Sequence, residues 1–349
     1  MSDDAAGTDR NRELAAIVAK PRAEAAIEAL RAEGVYDPTR SVDAYDAGRV
    51  AVPVAAPPAE TAVDAVEQVS LPRRERGLPD RLAERGFTAS EIAAAPASWA
   101  VVGSVVLVDF GDVSGDDALP EPRREDVGEA LLELHANADT VLARGGVAGE
   151  RRQPSVEVVA GNGETETVHV EHGTRYALDL ATAMFSPGNK AERARMGEVV
   201  AAGERAFDMF AGIGYFALPM ARAGARVVAA EIEPATYRYL VENARLNDVT
   251  DRLRPVLGDC RDVETTADRV VMGYYDAHEY LDAALGALVA GGTLHLHEAT
   301  PDPRFPDRPV DRLRAAAEAA DRSVDLLETR VVKDHSPGVV HGVVDARIR

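Results

Sequence analysis

At 349 residues the chain exceeds the usual size of a single hydrophobic core, so more than one domain is expected. Its 59 acidic and 39 basic residues leave a formal net charge of -20, spread along the chain without a block of like charge, which fits a solvated surface adapted to high salt. Cys260 is the sole cysteine, excluding an internal disulfide and any cysteine-rich zinc site; no apolar run nears the ~20 residues of a membrane helix, and the opening "MSDDAAGTDR" is acidic where a signal peptide is basic, so a soluble cytoplasmic protein is expected.

Residues 1–10 read as a disordered tail. From Leu14 to about Val54 the pattern is strand ("LAAIVAK"), helix ("PRAEAAIEALRAEG", with Pro21 at its start and Gly34 at its stop) and strand ("RVAVPVA"). These make a small α+β module over residues 11–60, closed by an Ala/Pro-rich linker, "PVAAPPAE".

A second α+β domain, suited to handling substrate, is expected over residues 61–180. It begins with a helical piece near Pro79 to Ala95, a strand from Trp99 to Phe110 and an acidic turn, "GDVSGDDALPEP". An amphipathic helix follows, "REDVGEALLELHA", in which Val127, Leu131 and Leu134 recur at helical spacing. The strands "SVEVVAG" and "TETVHVEHG" flank Gly161-Asn162-Gly163, which predicts a hairpin, and "TRYALDLATAMFS" reads as one more strand.

Over residues 181–349 helices and strands alternate, which predicts right-handed crossovers and a mostly parallel sheet covered by helices on both faces. The whole is therefore an α/β protein: a Rossmann-like domain preceded by two smaller α+β domains.

The first strand of that alternation ends in "DMFAGIGYF", Asp208 to Phe216, where Gly212 and Gly214 permit a tight turn and a close approach of backbone amides to a ligand. Glu231 ends the next strand, where a carboxylate can accept both hydroxyls of a ribose, and "GDC" puts Asp259 and Cys260 at the end of the third, placed to meet an adenine edge. A dinucleotide is disfavoured because the turn lacks the third glycine of G-x-G-x-x-G/A. Adenosine without pyrophosphate fits better, which points to S-adenosylmethionine and to a set of cofactor residues that includes Asp208, Gly212, Glu231, Asp259 and Cys260.

These residues resemble a family of tRNA enzymes that modify guanosine 37 beside the anticodon. It comprises N1-guanine methyltransferases and wybutosine-pathway enzymes that transfer the aminocarboxypropyl group of S-adenosylmethionine instead of its methyl. "HVEHGTRYALDLATAMFSPGNKAER" is similar to the start of the family's catalytic domain and "FDMFAGIGYFALPMA" to its cofactor loop. The N-terminal module is similar to a small domain that contacts the outer corner of tRNA in the methyltransferase branch. Methyltransferases usually carry Asn-x-Pro after the fourth strand and Ser-Pro-Arg at the start of the catalytic domain. Here Gly273-Tyr274-Tyr275 and Ser186-Pro187-Gly188-Asn189 stand there instead, and both departures resemble the aminocarboxypropyl branch.

The resemblance implies transfer of the 3-amino-3-carboxypropyl group to carbon 7 of 4-demethylwyosine at position 37 of tRNA(Phe), by a monomer that needs no metal and grips the anticodon loop. It implies contacts of Ser186 and Arg193 with the methionine portion of the donor or its neighbourhood. An unstacked acceptor base suits an aromatic partner such as Tyr274 or Tyr275. Glu192 matches the general base of the methylating relatives, with pairing to Arg195 or Arg193 as its plainer reading, and the catalytic base is left unassigned. A guanosine-37 N1-methyltransferase and a tRNA-binding protein without chemistry are the alternatives.

His295 and His297 alternate along "TLHLHEA" beside Glu298 and lack a third ligand at a recognised spacing, so a packed polar strand is expected rather than a metal site. "DHSPGVVHGVVDARI" predicts an edge hairpin. Arg73-Arg74-Arg76, Arg123-Arg124 and Arg151-Arg152 are candidates for a path along RNA. In strong salt such a path depends on shape and on placed arginines more than on counterion release.

Overall fold

The computed structural model describes residues 13–74, 76–111, 119–148 and 153–349, so the expected N-terminal tail, most of the acidic turn and the Arg151-Arg152 pair lie outside the described residues. The chain divides into two compact units, one through Glu84 and one from Arg85.

In the first unit, β1 (Glu13–Ala19), β2 (Asp43–Ala44), β3 (Arg49–Pro53) and β4 (Ala65–Val69) form an antiparallel sheet in the order β2-β3-β1-β4. Ala16 and Val18 of β1 pack with Leu30 of helix α1 (Ala23–Ala32), while Ala15 and Ile17 pack with Leu71 on the other face. Burial on both faces is why "LAAIVA" is an unbroken apolar run. Because β4 pairs with β1 from Glu13↔Val69 to Ile17↔Ala65, the module continues past the boundary expected at residue 60. The Ala/Pro-rich stretch is a connection inside it. Helix α2 (Leu78–Glu84) completes this unit.

The second unit opens on α3 (Ala89–Ala94), whose start is a capping box: Thr88 Oγ1 accepts from the Glu91 N–H (3.3 Å), and the Glu91 carboxylate accepts from the Thr88 N–H (2.7 Å). The single helical piece expected near residues 79–95 is thus two helices, parted at Gly86 (φ 78°). β5 (Trp99–Val102), β6 (Val105–Val108), β7 (Thr140–Ala148) and β8 (Gln153–Gly161) form a sheet in that order, with β6 and β7 parallel and joined through α4 (Glu121–Leu134).

The hairpin expected at Gly161-Asn162-Gly163 does not form, since β8 pairs with β7 and β9 (Glu166–Glu171) pairs with β10 (Thr174–Asp179) in a separate two-stranded sheet. Asn162 instead ties the turn to the start of β7: its N–H donates to the Asp139 carbonyl (3.0 Å) and its Oδ1 accepts from Thr140 Oγ1 (2.7 Å). A β-carbon at Gly161 would lie 2.1 Å from the Asp139 carbonyl oxygen, so this approach requires glycine.

Helices α5 (Lys190–Val199), α6 (Ala217–Arg222), α7 (Pro234–Leu246), α8 (Leu281–Ala287) and α9 (Asp307–Ala319) accompany the largest sheet. Its strands are β11 (Arg205–Asp208), β12 (Arg226–Glu231), β13 (Leu253–Leu257), β14 (Ala267–Met272), β15 (Leu288–Pro301), β16 (Val324–Ser336) and β17 (Val339–Ile348), in the order β13-β12-β11-β14-β15-β17-β16. The first five are parallel and β17 runs antiparallel between β15 and β16, so the C-terminal hairpin stands at the edge where it was expected. Val102, Leu107 and Leu142 of the smaller sheet share one buried core with Tyr176, Leu218, Tyr239 and Val271. The division expected at residues 180 and 181 is therefore not a break in the core.

Candidate functional site

Parallel strands aim their carboxyl ends at one edge of the sheet, and the connections there hold the residues able to meet a ligand. After β11 the chain turns at Gly212 (φ 58°) and Gly214 (φ 104°), where an added β-carbon would lie 2.7 Å from the Tyr215 ring and from Leu218 respectively. The Gly212 N–H donates to Glu231 Oε2 (2.8 Å) and the Glu233 N–H to Oε1 (2.7 Å), which fixes the carboxylate at the end of β12. Burial raises the Glu231 pKa and these N–H bonds oppose the shift. Each oxygen keeps a lone pair for a further donor such as a hydroxyl.

Asp208 is placed differently from the expectation. It is fully buried beneath the turn, accepting from the N–H groups of Ala217 (3.1 Å) and Phe210 (3.3 Å), and it does not line the cavity. It anchors the loop from below, and burial pushes its pKa up to about 7. Asp259 caps the turn after β13, accepting from the Arg261 N–H (2.9 Å) and pairing with the Arg261 side chain, which lowers its pKa. Burial drives the neighbouring Cys260 thiol up to about 12, so it acts as a small apolar wall rather than as a nucleophile.

A cavity of about 530 Å³ opens over these strand ends and brings together Ser186, Arg193, Gly212, Glu231, Asp259, Cys260 and Tyr274. Arg193 is buried and grips Glu171 through two bonds, Nε to Oε2 (2.7 Å) and Nη2 to Oε1 (2.8 Å). Burial raises the Glu171 pKa, but hydrogen bonds from His169 and Arg193 outweigh it and hold the group at about 2. Arg193 Nη1 also donates to the Ser186 carbonyl (3.0 Å), so the pair fixes the lead-in to α5 against the cavity. Nothing local marks Glu171 as this partner, and sequence reasoning missed it.

Phe210, Tyr274 and Tyr280 form an aromatic corner of the same cavity. Tyr274 stacks on Phe210 with centroids 5.2 Å apart, and Tyr280 meets Phe210 edge-on at 5.0 Å. Phe210 lies within the cofactor-loop motif and Tyr280 on the helical turn after Tyr274, so spacing alone contained a signal for both. Gly273 is required because a β-carbon there would lie 2.6 Å from the Phe216 ring. Tyr275, also expected to face the substrate, does not line the cavity; its ring packs between His335 (4.5 Å) and His341 (4.9 Å).

Glu192 likewise stands outside the cavity. It is buried and paired with Arg330 of β16, whose Nε donates to it at 2.9 Å, so neither Arg193 nor Arg195 is its partner. Arg330 and Arg195 meet again at Asp345 (2.7 Å each), which also bonds His295 Nδ1 (2.6 Å). His297 bonds His341 (3.0 Å), and burial lowers both rings, to about 3 and about 2. The two strand histidines thus serve packed polar contacts, and no cluster of three or more metal-ligating side chains occurs among the described residues. Arg74, Arg76, Arg123 and Arg124 each sit against a carboxylate, of Asp80, Glu84, Glu91 and Glu157 respectively. No described helix is long and apolar enough to cross a membrane.

The strand order and the cavity across the strand ends define a Rossmann-like fold of the class I methyltransferase type. Residues 167–327 match the family model for the TRM5/TYW2 methyltransferase domain, and residues 80–165 match that for the TYW2 N-terminal domain. Over 257 residues the chain is 38% identical to a tRNA(Phe) (4-demethylwyosine(37)-C(7)) aminocarboxypropyltransferase of Pyrococcus horikoshii, covering 72% of this chain and 90% of the relative. The chain belongs to the TRM5/TYW2 family. The crystal structure of P. horikoshii TYW2 in complex with MeSAdo matches with a TM-score of 0.67 and 34% identity, over 77% of this chain and 97% of that one. Trm5b from Pyrococcus abyssi matches with a TM-score of 0.72 and 29% identity, over 96% of this chain and 99% of that one.

Proposed function

We propose that the chain transfers the 3-amino-3-carboxypropyl group of S-adenosylmethionine to carbon 7 of 4-demethylwyosine at position 37 of tRNA(Phe). The observation that carries this reading is its 38% identity to an enzyme of that name, over 90% of the relative's length. Gly273 and Tyr274, which separate the two branches in sequence, stand at the cavity wall in keeping with it.

The residues present fit the donor. A cavity of about 530 Å³ lies in the range of small-molecule sites. Glu231 offers lone pairs to ribose hydroxyls, Asp259 and Cys260 shape the adenine end, and Gly212, without a side chain, lets a ligand approach the loop backbone closely. Ser186 lies on the lead-in to α5, toward the methionine portion. When bound, the donor supplies a sulfonium with three activated carbons, and the carbon held in line with the nucleophile is the one transferred. The protein's task is therefore orientation and exclusion of water. Phe210, Tyr274 and Tyr280 offer the faces against which an unstacked tricyclic base is held.

The enzyme works as a cytoplasmic monomer on the anticodon loop, and the N-terminal module contributes a tRNA contact. The 96% coverage by Trm5b favours a second reading, N1-methylation of guanosine 37. Precursor tRNA incubated with donor labelled in the carboxyl carbon or in the methyl group separates the two. Carboxyl label entering RNA is the expected result; methyl label alone overturns it.

A further inference from the structure

A donor that gives up its aminocarboxypropyl group must be held by that group, which ends in a carboxylate and an ammonium. Among the described cavity-lining residues the only cation is Arg193, and its guanidinium is engaged by Glu171 through Nε and Nη2 and by the Ser186 carbonyl through Nη1. The other charged lining residues, Glu231, Glu233, Asp259, Asp276 and Glu279, repel a carboxylate. A cation is nevertheless close behind the wall. Lys333 Nζ donates to Ser186 Oγ at 2.5 Å, and Ser186 lines the cavity.

Two features bring Lys333 there. The β16–β17 ladder shifts register between Val331 and Lys333, and such a bulge re-aims the side chains of its strand. The lysine stem then crosses Gly188, where an added β-carbon would lie 3.0 Å from Lys333 Cδ. The sequence is sparing with this residue type, placing lysine at only two other positions, Lys20 and Lys190. A serine hydroxyl that accepts from an ammonium keeps its own hydrogen to donate, and Ser186 has no acceptor for it among the described residues.

We propose that Lys333, acting through Ser186, reads the carboxylate of the aminocarboxypropyl group and holds that arm of the donor in place. Lys333 is a positioning residue for the donor. This inference rests on the reading of the cofactor given above.

The test is calorimetric titration of the full chain with S-adenosylmethionine and with methylthioadenosine, which lacks the arm. Lys333→Met is expected to weaken S-adenosylmethionine about tenfold or more, the range of a lost charge-assisted hydrogen bond, and to leave methylthioadenosine unchanged. Ser186→Ala, which leaves the lysine in place, is expected to show the same selective loss. Parallel weakening of both ligands, or no change in either, overturns the proposal. Wild-type transfer of methyl label alone would instead overturn the reading of the reaction, while the differential titration would still judge Lys333.

Discussion

Arg193 and Glu171 lie 22 positions apart and form a doubly hydrogen-bonded ion pair with both side chains buried, Nε to Oε2 at 2.7 Å and Nη2 to Oε1 at 2.8 Å. The pair joins the end of β9 to α5, and Arg193 passes the constraint on to the Ser186 carbonyl. Glu171→Gln leaves a buried guanidinium uncompensated. A loss of about 3–5 kcal/mol in unfolding free energy is expected by denaturant titration. A loss below about 1 kcal/mol would mean that the arginine finds another partner.

The same pair has a pH signature. The folded pKa of Glu171 is about 2 against an ordinary 4.5, so its contribution is present above 4.5 and lost as pH falls from there toward 2. The acid arm of a pH-stability curve is therefore expected to flatten in the Glu171→Gln variant.

Asp208 has the opposite sign. Its folded pKa is about 7 against 3.8, so between those values the folded protein holds a proton that the unfolded chain has released. Stability from this group is present below 3.8 and declines as pH rises toward 7. Asp208→Asn removes the titration and retains a side-chain oxygen for the Phe210 or Ala217 N–H. The variant is expected to gain on wild type between pH 4 and pH 8 in matched denaturant titrations; an unchanged gap would mean that the carboxylate is ionised throughout.

What was legible in the sequence follows from the physics of a parallel sheet. Glu231 could be placed because it ends a strand, and Gly212 and Asp259 because they lie in the turns just after one; the carboxyl ends of parallel strands converge by construction. Pairings between distant strands had no such rule. Glu192 finds Arg330 and Ser186 finds Lys333 only because β17 and β16 add an antiparallel edge, 138 and 147 positions further on. The turn at Gly161-Asn162-Gly163 misled for a similar reason. Its composition suits a hairpin, but the Asn162 amide is committed to Asp139 and Thr140.

Glu231 accepts N–H bonds from both the glycine loop and its own strand end, so it couples loop shape to any ligand hydroxyl it receives. Glu231→Ala is expected to weaken S-adenosylmethionine and methylthioadenosine alike, by about tenfold or more, because both carry the ribose. Calorimetry that shows unchanged affinity for either ligand would remove Glu231 from the ribose site.

Adjacent tyrosines have been given different work by a strand that ends at Gly273. Tyr274 turns into the cavity and stacks on Phe210, whereas Tyr275 packs against His335 and His341. Stacking of a base on an aromatic face contributes about 1–3 kcal/mol, so Tyr274→Ala should lower kcat/KM for tRNA by about tenfold to a hundredfold, with Tyr274→Phe largely restoring it. Tyr275→Ala should lower the melting temperature through lost packing and leave transfer per folded molecule close to wild type. Single-turnover assays beside thermal unfolding curves separate the two. A Tyr275 variant that stays folded yet loses transfer as severely as Tyr274→Ala would place the substrate base on the hairpin side of the strand end instead.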